Sequence, residues 1–390
     1  MSTNLSVPAA RVRTGGINPD QLFHLGSAVA GSFALTWMLF ERILPVDSPL
    51  GFAVAWYALF LAMYAVISST TLDRVGVVDR VVGALVATAG AVLVAVLAGI
   101  VVFITIRGKG ALAHTHFYTD TLALVGPDDG LDKGGIYAAM IGTFEQVALA
   151  ILISVPVGLA TAVYLNEVGG RLASTVRTVV HAMSAVPTIL AGLFIYAMFI
   201  IGFDVPGWLP LLGDRVSLPR SGFAAALALS VSMIPVVITT AEVVLRLVPN
   251  GLREASLALG TSRWQTVKGV VLPTARPGLI TAVLLGIARV IGETSPVLLV
   301  AGYTNELNYD PFHGPQVSLP LFVFNLARQP FDVAIARAFG AAVVLLVLVV
   351  IFFAAARILG GRAPGQASPR KVRRTSARLA RRQLLEGNLA

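Results

Sequence analysis

The 390-residue chain contains no cysteine. This excludes a disulfide framework, a thiolate nucleophile, an iron–sulfur cluster and a cysteine-ligated zinc, and it leaves the redox compartment open. Charge is also scarce. Only 13% of residues are Asp, Glu, Lys or Arg, about half the share of a soluble domain. Lysine occurs at four positions, Lys109, Lys133, Lys268 and Lys371, and none stands in the G-x-x-x-x-G-K-[ST] pattern that holds nucleotide phosphates. ATP must therefore act through another chain. His114 and His116 form an isolated H-x-H, and His24, His181 and His313 have no neighbouring ligand set, so no metal site is expected. No nucleophile, base and orienting residue fall together, and the chain is expected not to be an enzyme.

What is abundant is apolar. Hydrophobic residues make up 56% of the chain, mean hydropathy is +0.82, and the class is a polytopic membrane protein. The first long apolar run starts after about 20 mostly polar residues and many more follow it, which reads as a short tail rather than a cleaved signal peptide. With roughly 20 apolar residues needed per crossing, eight spans are expected. They lie near Leu22–Ile43, Leu50–Ser69, Val81–Ile106, Tyr137–Leu165, Val176–Ile201, Phe223–Leu245, Gly278–Gly302 and Val333–Leu359.

Eight spans place both termini on one side, and the basic residues choose which. The terminal side carries 20 Lys and Arg against 8 on the other, with Arg289 left inside a span, so both termini are expected in the cytoplasm. The net charge of +9 and pI near 10.2 are then a topology signal, and no nucleic-acid partner is expected. The tail GRAPGQASPRKVRRTSARLARRQ is densely basic and suits anionic lipid headgroups.

Between the sixth and seventh expected spans stands the polar stretch EASLALGTSRWQTVKGVVLPTARPG, Glu254 to Gly278. Asn250 can cap a first short helix with Leu252, Ala255, Ser256 and Leu259 on one face. Gly260 can end it in the left-handed conformation. Ser262 and Gln265 form a capping box opening a second helix, with Trp264, Val267 and Val271 on one face. Pro273 is expected to stop that helix, and Pro277 to begin the next span. Such a pair of surface helices serves either to stabilise the bundle at the interface or to dock another protein.

Glu254-Ala255-Ser256, three residues, Gly260, nine residues, Val270, one residue, Leu272-Pro273 resembles the EAA loop of ABC importer permeases. Ser256 stands for the second Ala and Val270 for Ile. The resemblance implies that Glu254, Ala255, Ser256, Gly260, Leu272 and Pro273 belong to a coupling helix seated on a cytoplasmic ATPase subunit. SAVPTILAGLFIY (Ser184–Tyr196), ARVIGETSPVLL (Ala288–Leu299) and VSLPLFVFNLARQPFD (Val317–Asp332) are similar to segments of the PstA family, membrane permeases of the high-affinity phosphate importer. Together with the loop, the match runs from about Tyr137 to Leu359.

Arg289 and Glu293 are four residues apart within the seventh expected span, so on a continuous helix they share a face and can neutralise each other. An ionisable residue there faces a bundle interior or an aqueous path. The pair either fixes packing or handles an oxyanion, for which the guanidinium fork is suited. In the resembled family the Arg and Glu of this motif are implicated in phosphate transport, which makes Arg289 and Glu293 substrate-path candidates, with Thr294 as a neighbouring hydroxyl. Glu145, in IGTFEQVALAIL, is another charge in a span, read as packing through a local hydrogen bond or an Arg partner. Pro187 and Gly192 can bend a span or admit a close helix.

These readings lead to an all-α polytopic membrane protein whose core resembles the type I ABC importer permease of six transmembrane helices, plus two extra N-terminal ones. Its expected parts are a cytoplasmic tail at 1–20, an added helical pair at 21–70, the permease domain at 81–360 with a coupling loop at 247–276, and a basic cytoplasmic tail at 361–390. The implied function is the transmembrane permease subunit of an ATP-driven inorganic phosphate importer in the bacterial cytoplasmic membrane. Implied partners are two ATP-binding subunits that hold ATP and Mg, a second permease of PstC type, an external phosphate-binding protein of PstS type, and membrane lipid. The alternatives are an ABC permease for another oxyanion or small solute, an ion-coupled secondary carrier, and a noncatalytic scaffold.

Overall fold

The computed structural model describes residues 19–43, 48–204 and 215–360. Residues 1–18 of the expected tail at 1–20, and the expected tail at 361–390, lie outside the described residues. The chain divides into two compact units, 1–100 and 101–390. Seven described helices are long and apolar enough to cross a membrane, or eight if one bent pair counts as a single span.

The first unit holds α1 (Pro19–Met38), which ends in a π turn at Leu39–Ile43, α2 (Pro49–Ser69) and the opening part of α3 (Arg74–Leu112). Ser48 accepts the Gly51 N–H through its hydroxyl at 3.1 Å, and Pro49 occupies the first turn, where its missing donor costs nothing. Phe33 sits edge-on to Phe52 and Trp56 at 5.9 and 5.7 Å. Few side chains of α1 and α2 are buried, as expected of helices whose apolar surface faces lipid.

The second unit is built around α8 (Gly222–Arg246). Ala224, Ala225, Ala226, Ala228, Met233 and Val237 are buried, and these mostly small side chains let α5 (Tyr137–Val163) and α11 (Leu272–Val290) pack closely. Toward one end, Ala162, Ala241, Leu245, Val271 and Ala275 form a further cluster joining α5, α8 and α11. Around this centre run the short α4 (His116–Thr119), α6 (Arg171–Ala185), α7 (Thr188–Ile195), α12 (Ser295–Val300), α13 (Leu319–Leu326) and α14 (Asp332–Gly360). A two-residue antiparallel pair, Phe203–Asp204 with Arg215–Val216, is the sole sheet among the described residues.

Two expected spans take a different course. Val176–Ile201 is not straight, because α6 and the helix at Thr188–Ile201 meet at 104°. Pro187 pushes the preceding Val186 into the extended region, at ψ 128. The seventh span runs from Arg263 to Val290 as one helix and does not begin at Pro277 or continue to Gly302. Pro273 fails to stop it, since a π turn at Val267–Val271 precedes the proline and α11 begins at Leu272. This puts Pro273 in the first turn of α11, where a missing N–H is tolerated.

Gly192 of α7 allows a close approach. A Cβ there would stand 2.6 Å from Pro296 Cα on α12, nearer than two carbon atoms can come. At the other end of the unit, Arg337 of α14 is 2% exposed and donates from Nη2 to the carbonyls of Asp129, Gly130 and Lys133 at 2.8 to 3.0 Å. It pins the segment before α5.

Candidate functional site

A cavity of about 600 Å³ opens where the α6–α7 bend faces α8 and α11. Phe194, Val231 and Leu285 give it apolar wall. Ser184, Thr188, Ser232, Thr239 and Thr240 supply hydroxyls, and Arg289 supplies the one ionisable side chain of the lining. Arg289 lies in the last turn of α11, one residue before its end, and is exposed. No carboxylate lies within ion-pairing distance of its guanidinium among the described residues. The Ser184 hydroxyl donates to the Val180 carbonyl at 3.0 Å and Thr239 to that of Pro235 at 2.8 Å, so lone pairs remain on both oxygens.

Glu293 and Thr294 do not share this lining. The helix stops at Val290, the Glu293 N–H turns back to the Val290 carbonyl at 3.1 Å, and Thr294 stands just before α12 without a side-chain capping hydrogen bond. The i, i+4 relation of Arg289 and Glu293 is therefore interrupted by a turn at Ile291–Gly292, and the two form no ion pair. The local Gly292 and the Pro296 that starts the next helix are the cause.

The loop that follows the C-terminal end of α8 is a helix pair joined at a right-handed-to-left-handed switch. α9 (Asn250–Ala258) and α10 (Arg263–Thr266) meet through Gly260, at φ +82. The capping box is present, with the Gln265 N–H donating to Ser262 Oγ at 3.3 Å and the Ser262 N–H to Gln265 Oε1 at 2.9 Å. Asn250 does not cap α9. It is the first helical residue, and its Oδ1 accepts from Arg253 at 3.1 Å. Ser256 is buried and its hydroxyl meets those of Thr261 at 2.8 Å and Thr266 at 3.0 Å, a triangle that an alanine could not form. The remaining faces point outward. Leu259 and Trp264 are 85% and 66% exposed, Glu254 and Ala255 are exposed, and Leu272 and Pro273 open α11. Apolar side chains so exposed beside a carboxylate with no ion-pair partner among the described residues make a surface suited to a protein partner.

Charges that sequence reasoning passed over hold this end together. Glu242, on α8, accepts from Arg177 of α6 at 2.7 Å and from Arg246 one turn on. Glu167, in the π turn Tyr164–Val168 that ends α5, accepts from Arg253 at 2.9 Å. Glu242, inside an expected span, and Arg246, just past its end at Leu245, stand at i, i+4, a signal open to reading along the chain. The Glu167–Arg253 contact, 86 residues apart, has none.

At the other end, Glu145 accepts from the amide of Gln316 at 2.5 Å, neither from an Arg nor from its own helix. Gln146 donates to the Gln316 carbonyl at 3.2 Å, and both glutamines are 1% exposed. The loop they anchor carries Tyr303, whose hydroxyl burial pushes up to about 12. It also carries Asp310, held below the ordinary carboxylate range by the Phe312 N–H and by His313. Among the described residues no group of three or more His, Cys, Asp or Glu is arranged to hold a metal.

A family model described as the binding-protein-dependent transport system inner membrane component matches residues 154–363, more than half of the chain. The chain is 41% identical over 238 residues to the phosphate transport system permease protein PstA 1 of Mycobacterium tuberculosis strain H37Rv, covering 61% of this chain and 72% of that one. It is 35% identical over 203 residues to the phosphate transport system permease protein PstA of Pasteurella multocida, covering 52% and 67%. Among solved structures, a bacterial alginate ABC transporter in complex with a pentasaccharide-bound periplasmic protein matches with a TM-score of 0.55 at 18% identity, covering 73% of this chain and 97% of that one. This last likeness is one of fold.

Proposed function

The chain belongs to the PstA family of ABC importer permeases, a transport subunit of the inner membrane, and on that premise we propose that its cargo is inorganic phosphate and that Arg289 meets the cargo on its way through. The observation carrying this reading is the Arg289 guanidinium, unpaired and opening on a cavity lined by five hydroxyl side chains. A guanidinium offers two parallel donors to an oxyanion. Back-bonded hydroxyls such as Ser184 and Thr239 accept from a protonated phosphate oxygen. Glu293, just past the break, tunes the region's charge and is not itself a wall of the cavity, and Thr294 adds a hydroxyl at the start of α12.

An ABC importer permease works with ATPase and substrate-binding partners. We assign the ATPase contact to the helix pair at 247–276, through Glu254, Ala255, Ser256, Gly260, Leu272 and Pro273. The two ATP-binding subunits would hold ATP and Mg, whose hydrolysis supplies the driving force. The remaining partners are a second, PstC-like permease that closes the cavity's open side and a PstS-like phosphate-binding protein outside. Because Arg263–Val290 forms one span, a displacement of α10 is carried through the π turn at Val267–Val271 and along α11 to Arg289. Both termini are assigned to the cytoplasm, the basic one against lipid headgroups.

Phosphate uptake into vesicles containing the full complex tests this, with ATP, the ATPase and the binding protein each omitted in turn and with sulfate and molybdate as competitors. Uptake requiring all three and resisting both competitors is expected. Uptake by this chain alone, driven by an ion gradient, overturns the reading in favour of a secondary carrier.

A further inference from the structure

Arg253 is the only basic side chain of α9, and it points the opposite way from its neighbours. Leu252, Glu254, Leu257 and Leu259 are exposed, whereas the Arg253 side chain is 18% exposed and that of its partner Glu167 11%. The guanidinium makes four hydrogen bonds. Nη1 donates to the Val248 carbonyl at 2.6 Å and to Asn250 Oδ1 at 3.1 Å. Nη2 donates to the Leu245 carbonyl at 2.9 Å and to Glu167 Oε1 at 2.9 Å, an oxygen that also accepts from Asn166 at 2.6 Å. The two carbonyls lie at the C-terminal end of α8, where acceptors outnumber donors and the helix dipole favours a cation.

The covalent chain joins α9 to α8 on one side and, through α10, to α11 on the other. It does not join α9 to α5, whose end lies 86 residues away at Glu167. One planar side chain with four hydrogen bonds therefore bridges a surface helix to the ends of two spans, and its burial shields it from the screening that makes exposed ion pairs yield. A second bridge, Glu242 with Arg177, binds α6 to α8 just beyond, so what reaches α8 reaches the bent pair that walls the cavity.

We propose that Arg253 is a positioning residue that locks α9 to the ends of α5 and α8, so that a displacement of the coupling loop moves these spans together. This rests on the assignment of α9 to the ATPase contact. Since Arg253 faces inward while Glu254, Ala255 and Leu259 face outward, transmission and docking are separable by mutation.

The chain lacks cysteine, so Leu259→Cys, at an 85% exposed position, gives a unique crosslinking site for the partner ATPase. In the reconstituted complex, Arg253→Gln and Glu167→Gln are each expected to keep that crosslink and the basal ATP hydrolysis. The stimulation of hydrolysis by phosphate-loaded binding protein, and phosphate uptake with it, should fall about ten-fold, the worth of one charge-assisted hydrogen bond. Arg253→Lys, with the charge but without the fork, should fall between. A retained crosslink with unchanged stimulation overturns the inference alone. Loss of the crosslink in all three variants also overturns it, assigning Arg253 to the folding of the loop. A crosslink missing from the wild-type complex overturns the docking assignment and the inference together.

Discussion

Replacing Arg289 separates a substrate contact from a packing charge. The side chain is exposed, lines the cavity and has no carboxylate within ion-pairing distance among the described residues, so its removal leaves no buried partner uncompensated and should cost little stability. Its contribution to an anion in the cavity is larger. Near a protein surface a unit charge pair at 4 Å is worth about 4 kcal/mol before desolvation, and the net worth of a hydrogen bond to a charged group is about 1.5–3 kcal/mol. Arg289→Lys keeps the charge but replaces two parallel donors by one point, so uptake at sub-saturating phosphate should fall about 10- to 150-fold. Arg289→Ala forfeits both bonds and the charge, and should fall at least about 100-fold. Leu285→Ala, on the same wall a turn earlier, removes only half-exposed apolar surface and serves as the control, with a change of about two-fold. The assay is initial-rate phosphate uptake in vesicles at matched protein incorporation, with detergent thermal melts alongside. Arg289→Lys indistinguishable from wild type, or all three variants equally impaired with lowered melting temperatures, refutes the substrate contact and leaves Arg289 a packing role.

Three further outcomes are expected. Gly192→Ala places a Cβ 2.6 Å from Pro296 Cα and should destabilise the α7–α12 contact by about 1–3 kcal/mol, read as a lowered melting temperature; an unchanged melt refutes the close approach. Ser256→Ala removes two hydroxyl contacts at 2.8 and 3.0 Å, about 1 kcal/mol each, against about 0.5 kcal/mol of gained helix propensity. Amides of α9 should then exchange about ten-fold faster, and unchanged exchange contradicts the triangle. Asp310 accepts the Phe312 N–H at 2.9 Å and pairs with His313 at 2.8 Å, which depresses its carboxyl. The turn is thus fully tied above the ordinary carboxylate value of 3.8 and released only as the pH falls through the lowered one; Phe312 amide protection should be flat above about pH 4 and lost below it. Asp310→Asn should abolish that pH dependence.

Much of the arrangement is legible in the sequence, and the reasons are local. The spans at Leu22–Ile43, Leu50–Ser69, Phe223–Leu245 and Val333–Leu359 read correctly because composition over a window decides whether backbone can lie in lipid. Gly260 and the Ser262–Gln265 box declare the helix pair because each acts within four residues. Where two local signals compete, the sequence misleads. Pro273 has the look of a stop, yet the π turn ahead of it moves the proline into a tolerated position. Pro187 suggests a mild bend within a span and instead turns the chain by 104°. Arg289 and Glu293 suggest a helical pair because i, i+4 spacing presumes a continuous helix, and the turn at Ile291–Gly292 breaks it.

By itself, then, the chain's chemistry determined its solvent, its helical class, the capped surface loop and the absence of a nucleotide-binding motif, since each depends on residues near one another or on bulk composition. The tertiary structure alone decided which groups meet: Arg289 with hydroxyls from α6, α7 and α8, Gly192 with Pro296, Glu242 with Arg177 and Glu167 with Arg253 across 86 residues. Such contacts arise where small residues on α8 draw other helices close, and a charge brought to the inner ends of those helices must find its partner there. No spacing along the chain encodes that distance.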